Sequence, residues 1–147
     1  MMENSLTRPA LPALDVAAAG SAAIGLVLGA GTPLRCALGR AGIAARKREG
    51  DGATPAALLR PVEILYRTDR ECRPRSLLPV SPIAPDDGWC DDPAHPAYNR
   101  PVRLPFAAGH ERLWRDDGVY DLIVVLDWNF APAKPGAGSA IFMHIAR

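Results

Sequence analysis

The sequence has 147 residues and a formal net charge of +1, from 17 basic and 16 acidic side chains. That length suits one domain with a real core, and so even a balance gives no field of one sign for nucleic acid or an anionic surface. The 13 glycines and 15 prolines argue against a helical bundle: proline is poor in helix interiors and in central strands, so short elements between turns are expected.

Residues 1–13 read as a leader or part of a signal segment, and residues 14–147 as a single domain. The apolar run Val16–Ala30 has two readings. As an export signal, Arg8 would open it, Ala17–Leu28 would be its apolar stretch and Gly29-Ala30-Gly31 its small-residue site. As strands, Leu14–Ala18 and Ala23–Leu28 would turn at Gly20-Ser21, with an Ala-rich helix as the competing form. Glu3, Asp15, Pro9, Pro12 and the internal glycines favour the strands, and the run is too short and too broken to span a bilayer.

Pro33–Leu38 then reads as a third strand, and the polar, glycine-punctuated stretch Arg46–Pro55 as a loop. Pro61–Arg67 alternates Val62, Ile64 and Tyr66 against Glu63, Leu65 and Arg67, a period of two. Eight prolines fall between Pro74 and Pro105; long irregular connections of this kind commonly line or cover a site. Within it, Asp86-Asp87-Gly88-Trp89-Cys90-Asp91-Asp92 reads as turn chemistry and lacks the carboxylate spacing of a calcium loop. Two apolar runs close the chain. Tyr120–Trp128 follows the turn Asp116-Asp117-Gly118, and Ser139–Ile145 follows Pro135-Gly136-Ala137-Gly138. Both suit strands covered on two faces.

Chemistry-bearing residues are few. Cys36, Cys72 and Cys90 form no CxxC pair, and one disulfide or three thiols both remain open. Cys90 with His95, joined by Cys72 or His110, is an irregular zinc set; Cys90 with His95 or His110 is also a candidate thiol–imidazole pair. No Gly-Lys-Ser/Thr ends the Gly50-Asp51-Gly52 stretch, and neither G-x-S-x-G nor H-E-x-x-H occurs. His144 is the most informative histidine: an imidazole near the end of an apolar strand is either a core ring bonded to a carbonyl or a group at a cleft. No cofactor or metal is implied.

Several blocks match one family in order: Arg35-Cys36-Ala37-Leu38-Gly39, Lys47-Arg48-Glu49-Gly50-Asp51-Gly52-Ala53-Thr54-Pro55, Tyr120-Asp121-Leu122-Ile123-Val124-Val125-Leu126 with Asn129, and Ser139-Ala140-Ile141-Phe142-Met143-His144. Together they resemble the L,D-transpeptidase catalytic domain (YkuD-like), in its short, proline-rich form, from about residue 14 onward. The resemblance implies a mainly-β, loop-rich sandwich or barrel. It also implies a Ser/Thr-x-Gly-Cys nucleophile behind a histidine at the position of His144, which acts as general base, and peptidoglycan stem peptides as partners. The cell envelope or periplasm would be the site of action if the chain is exported, the cytoplasm otherwise.

Two departures stand out. The glycine that the pattern has after Thr54-Pro55-Ala56 is Ala57, and no Ser/Thr-x-Gly-Cys occurs in the sequence. The expectation is therefore a domain of this type without its nucleophile and C-terminal strands, inactive as it stands. The rival is a non-catalytic protein that binds stem peptides.

Overall fold

The computed structural model describes residues 13–29 and 31–145; the leader reading of residues 1–12 lies outside them. Among the described residues the chain is mainly β, with twelve short strands, no helix, and no closed barrel. The strands run two to eight residues and fall into four separate sheets, which is what frequent proline and glycine enforce by breaking ladders early.

β1 (Asp15–Ala19), β2 (Ser21–Leu28) and β3 (Leu34–Ala37) form an antiparallel meander. Gly20, at φ +75°, makes the first turn where the sequence placed it. The Val16–Leu28 run is thus strand rather than the competing helix. β4 (Ile43–Ala44) and β5 (Thr54–Pro55) make a two-residue parallel bridge that closes the Arg46–Pro55 loop.

The main sheet has the order β12-β11-β6-β7, from β6 (Pro61–Tyr66), β7 (Val80–Pro82), β11 (Leu122–Leu126) and β12 (Phe142–His144). β6 lies inside it, antiparallel to β11 and parallel to β7. Its polar-side set is not solvent-facing throughout: Leu65 packs on the core, and Arg67, just past the strand, is buried under its bonds to Asp69 and the Arg115 carbonyl. The remaining sheet has the order β10-β8-β9, from β8 (Asp87–Cys90), β9 (Pro101–Arg103) and β10 (His110–Arg112).

Three expectations are corrected here. The proline-rich stretch is not irregular throughout; it contains β7, β8 and β9. The segment around Trp89 is a central strand, not a turn. The turn precedes it, where Asp87 accepts from the Ala84 N–H at 2.7 Å. Gly88 then lets Leu104 and the Glu111 carbonyl approach so closely that a Cβ would sit 3.0 and 3.2 Å from them, and Trp89 and Cys90 are drawn inside. Finally, β12 is not covered on both sides: it is a sheet edge, with Met143 51% exposed.

The core is drawn from the main sheet and the β10-β8-β9 sheet. Ile123 and Val125 of β11 meet Trp89 of β8, with Ile83 and Leu113. Each such side chain contributes roughly 1.5–3 kcal/mol by leaving water, and Leu65, Trp114, Tyr120, Phe130 and Phe142 pack around them.

Candidate functional site

His144 ends β12, directly opposite Ile123 of β11. Residues two apart on a strand share a face, so Phe142 and His144 project together. Phe142 turns inward, its ring edge-on to Trp89 with centroids 5.1 Å apart. His144 lies at the exposed rim beyond it. It is therefore not a core histidine, and the desolvation cost suggested by its apolar strand is not incurred.

Two contacts hold the imidazole. Its Nδ1 lies 2.9 Å from the Ile145 carbonyl oxygen. A carbonyl can only accept, so Nδ1 carries the proton and the neutral ring keeps Nε2 as its acceptor. The second contact is Tyr120, whose ring meets the imidazole edge-on at 5.3 Å between centroids and 72° between planes. Tyr120 is itself fixed on three sides. Its hydroxyl donates to Glu111, Phe142 packs edge-on at 6.1 Å, and the Arg115 guanidinium lies 5.2 Å from its ring centroid. Burial, then the charge and hydrogen bond of Glu111, push the Tyr120 phenol above its ordinary range. It is a neutral donor, not a base.

The Lys47–Pro55 block and Asn129 meet at the loop that leads into β12. Asp51 accepts from the Lys47 ammonium at 2.5 Å, the Arg48 N–H at 2.8 Å and the Ala53 N–H at 2.9 Å. Burial alone would raise its carboxyl; the Lys47 bond and the two backbone donors outweigh this and lower it to about 2. Glu49 donates its N–H to the Gly136 carbonyl and accepts the Tyr98 hydroxyl hydrogen, while that hydroxyl accepts from the Gly138 N–H. Gly138, at φ +100°, has no room for a Cβ, which would lie 3.0 Å from Lys47. The Lys47–Asp51 block thus straps the Gly136–Ser139 segment in place, and that segment sets the path of β12. Ala57, where the pattern has glycine, is exposed and keeps φ below zero, so glycine is not required there.

Asn99 was not legible as a key residue. It is 2% exposed and uses its whole carboxamide. Oδ1 accepts from Trp89 Nε1 at 2.9 Å and the Ala140 N–H at 3.0 Å; Nδ2 donates to the carbonyls of Trp128 and Asn129. It joins β8, the end of β11 and the start of the β12 segment at one point. The signal available was an Asn between Tyr98 and Arg100 after a proline run, and it is an ordinary loop signal.

The other candidates separate. All three cysteines are free, with Cys36 partly buried, Cys72 exposed and Cys90 buried. His110 does sit opposite Cys90 in the β10–β8 ladder. The Cys90 thiol, however, is fully buried, and burial pushes it up, away from the thiolate that a nucleophile needs. The Cys90 enzyme reading falls on that point. His95 and His110 flank the Phe106 ring instead, with centroids at 4.9 and 5.9 Å. Among the described residues no three His, Cys, Asp or Glu side chains gather as a metal site, and no helix is long and apolar enough to cross a membrane. Comparison with protein-family models, curated proteins and solved structures gives no match to this chain.

Proposed function

We propose that this chain serves L,D-transpeptidase-type acyl transfer on peptidoglycan stem peptides, with His144 as the general base. The observation that carries the reading is the state of its imidazole: Nδ1 is occupied by a backbone carbonyl, and Nε2, at an exposed rim, has no hydrogen-bond partner among the described residues. Support also comes from the bonds of Glu49 and Asn129, both in matched blocks, to the segment that positions β12.

The nucleophile would be the thiol of a Ser/Thr-x-Gly-Cys segment, which the 147 residues do not contain. In that chemistry Nε2 takes the thiol proton and the thiolate attacks the stem-peptide amide carbonyl. The tetrahedral intermediate collapses to a thioester, and the departing amine takes its proton from the imidazolium. An acceptor amine then attacks the thioester and returns the thiol. Tyr120 and the Ile145 carbonyl hold the ring; neither moves a proton.

The test is the protein product of the reading frame that encodes these residues, incubated with a diaminopimelate-containing tetrapeptide and followed by intact mass. A thioester adduct on one cysteine is expected, with formation slowed by about 10²–10⁴ in His144→Ala. A complete reading frame without that motif, together with saturable peptide binding and no adduct, would replace catalysis by non-catalytic stem-peptide binding.

A further inference from the structure

Beyond the far end of β11, away from His144, lies an open cleft of about 440 Å³. His144 pairs at Ile123, near the start of that strand, whereas the cleft is bounded by the loop that follows its end. Roughly 10 Å of strand separates the two ends, so this cleft is not the His144 site. Its volume falls in the range of small-molecule and short-peptide pockets.

Two proline-bearing segments wall it, Pro93 and Pro96 in one and Pro132 and Pro135 in the other, and Tyr98 and Arg100 complete the lining. Both walls are fixed by hydrogen bonds rather than by packing alone. On the first, Asp92 Oδ1 accepts from the Ala94 N–H at 2.9 Å and His95 Nδ1 accepts from the Ala97 N–H at 3.0 Å. On the second, the Asn129 side chain binds Lys134 at both its N–H and its carbonyl and also reaches the Gly138 carbonyl, while Trp128 Nε1 donates to the Ala137 carbonyl. A cleft held this way spends little entropy on closing around a ligand.

Its polar equipment has one sign. The Arg100 guanidinium packs over Phe130, 4.9 Å from the ring centroid, and its sole hydrogen bond among the described residues is a long 3.4 Å contact to the Asn99 carbonyl. No carboxylate among the described residues pairs with it. Because His95 Nδ1 accepts a backbone N–H, the proton of its neutral ring sits on Nε2, a second donor with no acceptor among the described residues. One forked guanidinium and one imidazole N–H in the same lining match a carboxylate in charge and in donor type; a phosphate dianion would ask for more positive charge.

We infer that this cleft binds the C-terminal carboxylate of a short peptide, Arg100 pairing with the carboxylate, His95 donating to it, and the proline and tyrosine walls covering the last side chains. The inference stands apart from the reading of His144.

The experiment uses the folded 147-residue chain and NMR titration with four probes: N-acetyl-Ala-Ala, its C-terminal amide, acetate and inorganic phosphate. Saturable shifts of the Arg100 side-chain N–H and the Ala94 and Ala133 amides are expected with the free acid. Affinity should drop at least about tenfold for the amide and for acetate. Arg100→Gln, its spectrum otherwise unchanged, should lose the same factor, and Arg100→Lys should recover part of it. Equal binding of acid and amide, or unchanged affinity in Arg100→Gln, would overturn the proposal. Phosphate or acetate binding as tightly as the peptide would also overturn it, leaving a general anion site.

Discussion

The strap between Lys47 and Asp51 offers the sharpest test of how the β12 segment is held. The Lys47 side chain is 6% exposed and that of Asp51 23%, so removing the carboxylate leaves an ammonium largely out of water. Asp51→Ala also removes the acceptor for the Arg48 and Ala53 N–H groups. A bond to a charged group is worth about 1.5–3 kcal/mol net and a neutral one about 0.5–1.5. Discounted for the partial exposure of Asp51 and for relaxation, the loss should be about 3 kcal/mol. Asp51→Asn, which retains an acceptor oxygen, should cost about half as much. In urea, at an m-value of roughly 1–3 kcal/mol per molar, Asp51→Ala should lower the midpoint by about 1–3 M with the slope unchanged.

The pH dependence follows from the direction of the shift. The folded carboxyl is lowered from 3.8 to about 2, so its contribution is fully present above the unfolded value and disappears as pH falls through the folded one. The gap between wild type and Asp51→Asn should be constant above about pH 5 and close towards pH 2. An Asp51→Ala cost under about 1 kcal/mol, or a gap that does not change with acid, would refute the reasoning.

Asn99→Ala should destabilise by about 3–5 kcal/mol, because it orphans Trp89 Nε1, the Ala140 N–H and two carbonyls at once; a cost near 1 kcal/mol in urea unfolding would show that water replaces the carboxamide freely. A thiol reagent should label Cys72 at once and Cys90 only on the timescale of unfolding, as their exposure dictates; comparable rates in native protein would contradict the buried strand β8. Met143→Glu should raise the concentration at which the chain begins to scatter light, since it places a charge on an exposed apolar edge; an unchanged onset would mean that this edge does not drive association.

Strand existence was legible where short apolar runs meet glycine or proline, as at Gly20 and at Asp116-Asp117-Gly118, because turn chemistry is local. What escaped was decided by distant partners. The Asp86–Asp92 segment has the composition of a turn, yet Trp89 is worth more inside the core than Asp-Asp-Gly is in a loop, and β9 and β10 arrive from elsewhere to pair with it. β12 reads as a covered strand from Ile141, Phe142 and Met143, but coverage depends on a neighbour that composition does not name. The same holds for the site. His144 drew notice because a titratable ring stood in an apolar run, and the structure shows it to be exposed. Its contacts are with the Ile145 carbonyl and Tyr120, neither of which announces a role in sequence. Asn99 binds four groups far along the chain, and no local pattern marks such a hub.

The measurement closest to the central claim is the tautomer of His144, read from the imidazole ¹⁵N shifts of the folded chain with the ring neutral. A proton on Nδ1, with Nε2 as a bare acceptor, is the result that the Ile145 contact predicts and that a general base requires. A proton on Nε2 would contradict the proposal, since the ring would then present a donor where the proposed thiol would have to give up its hydrogen.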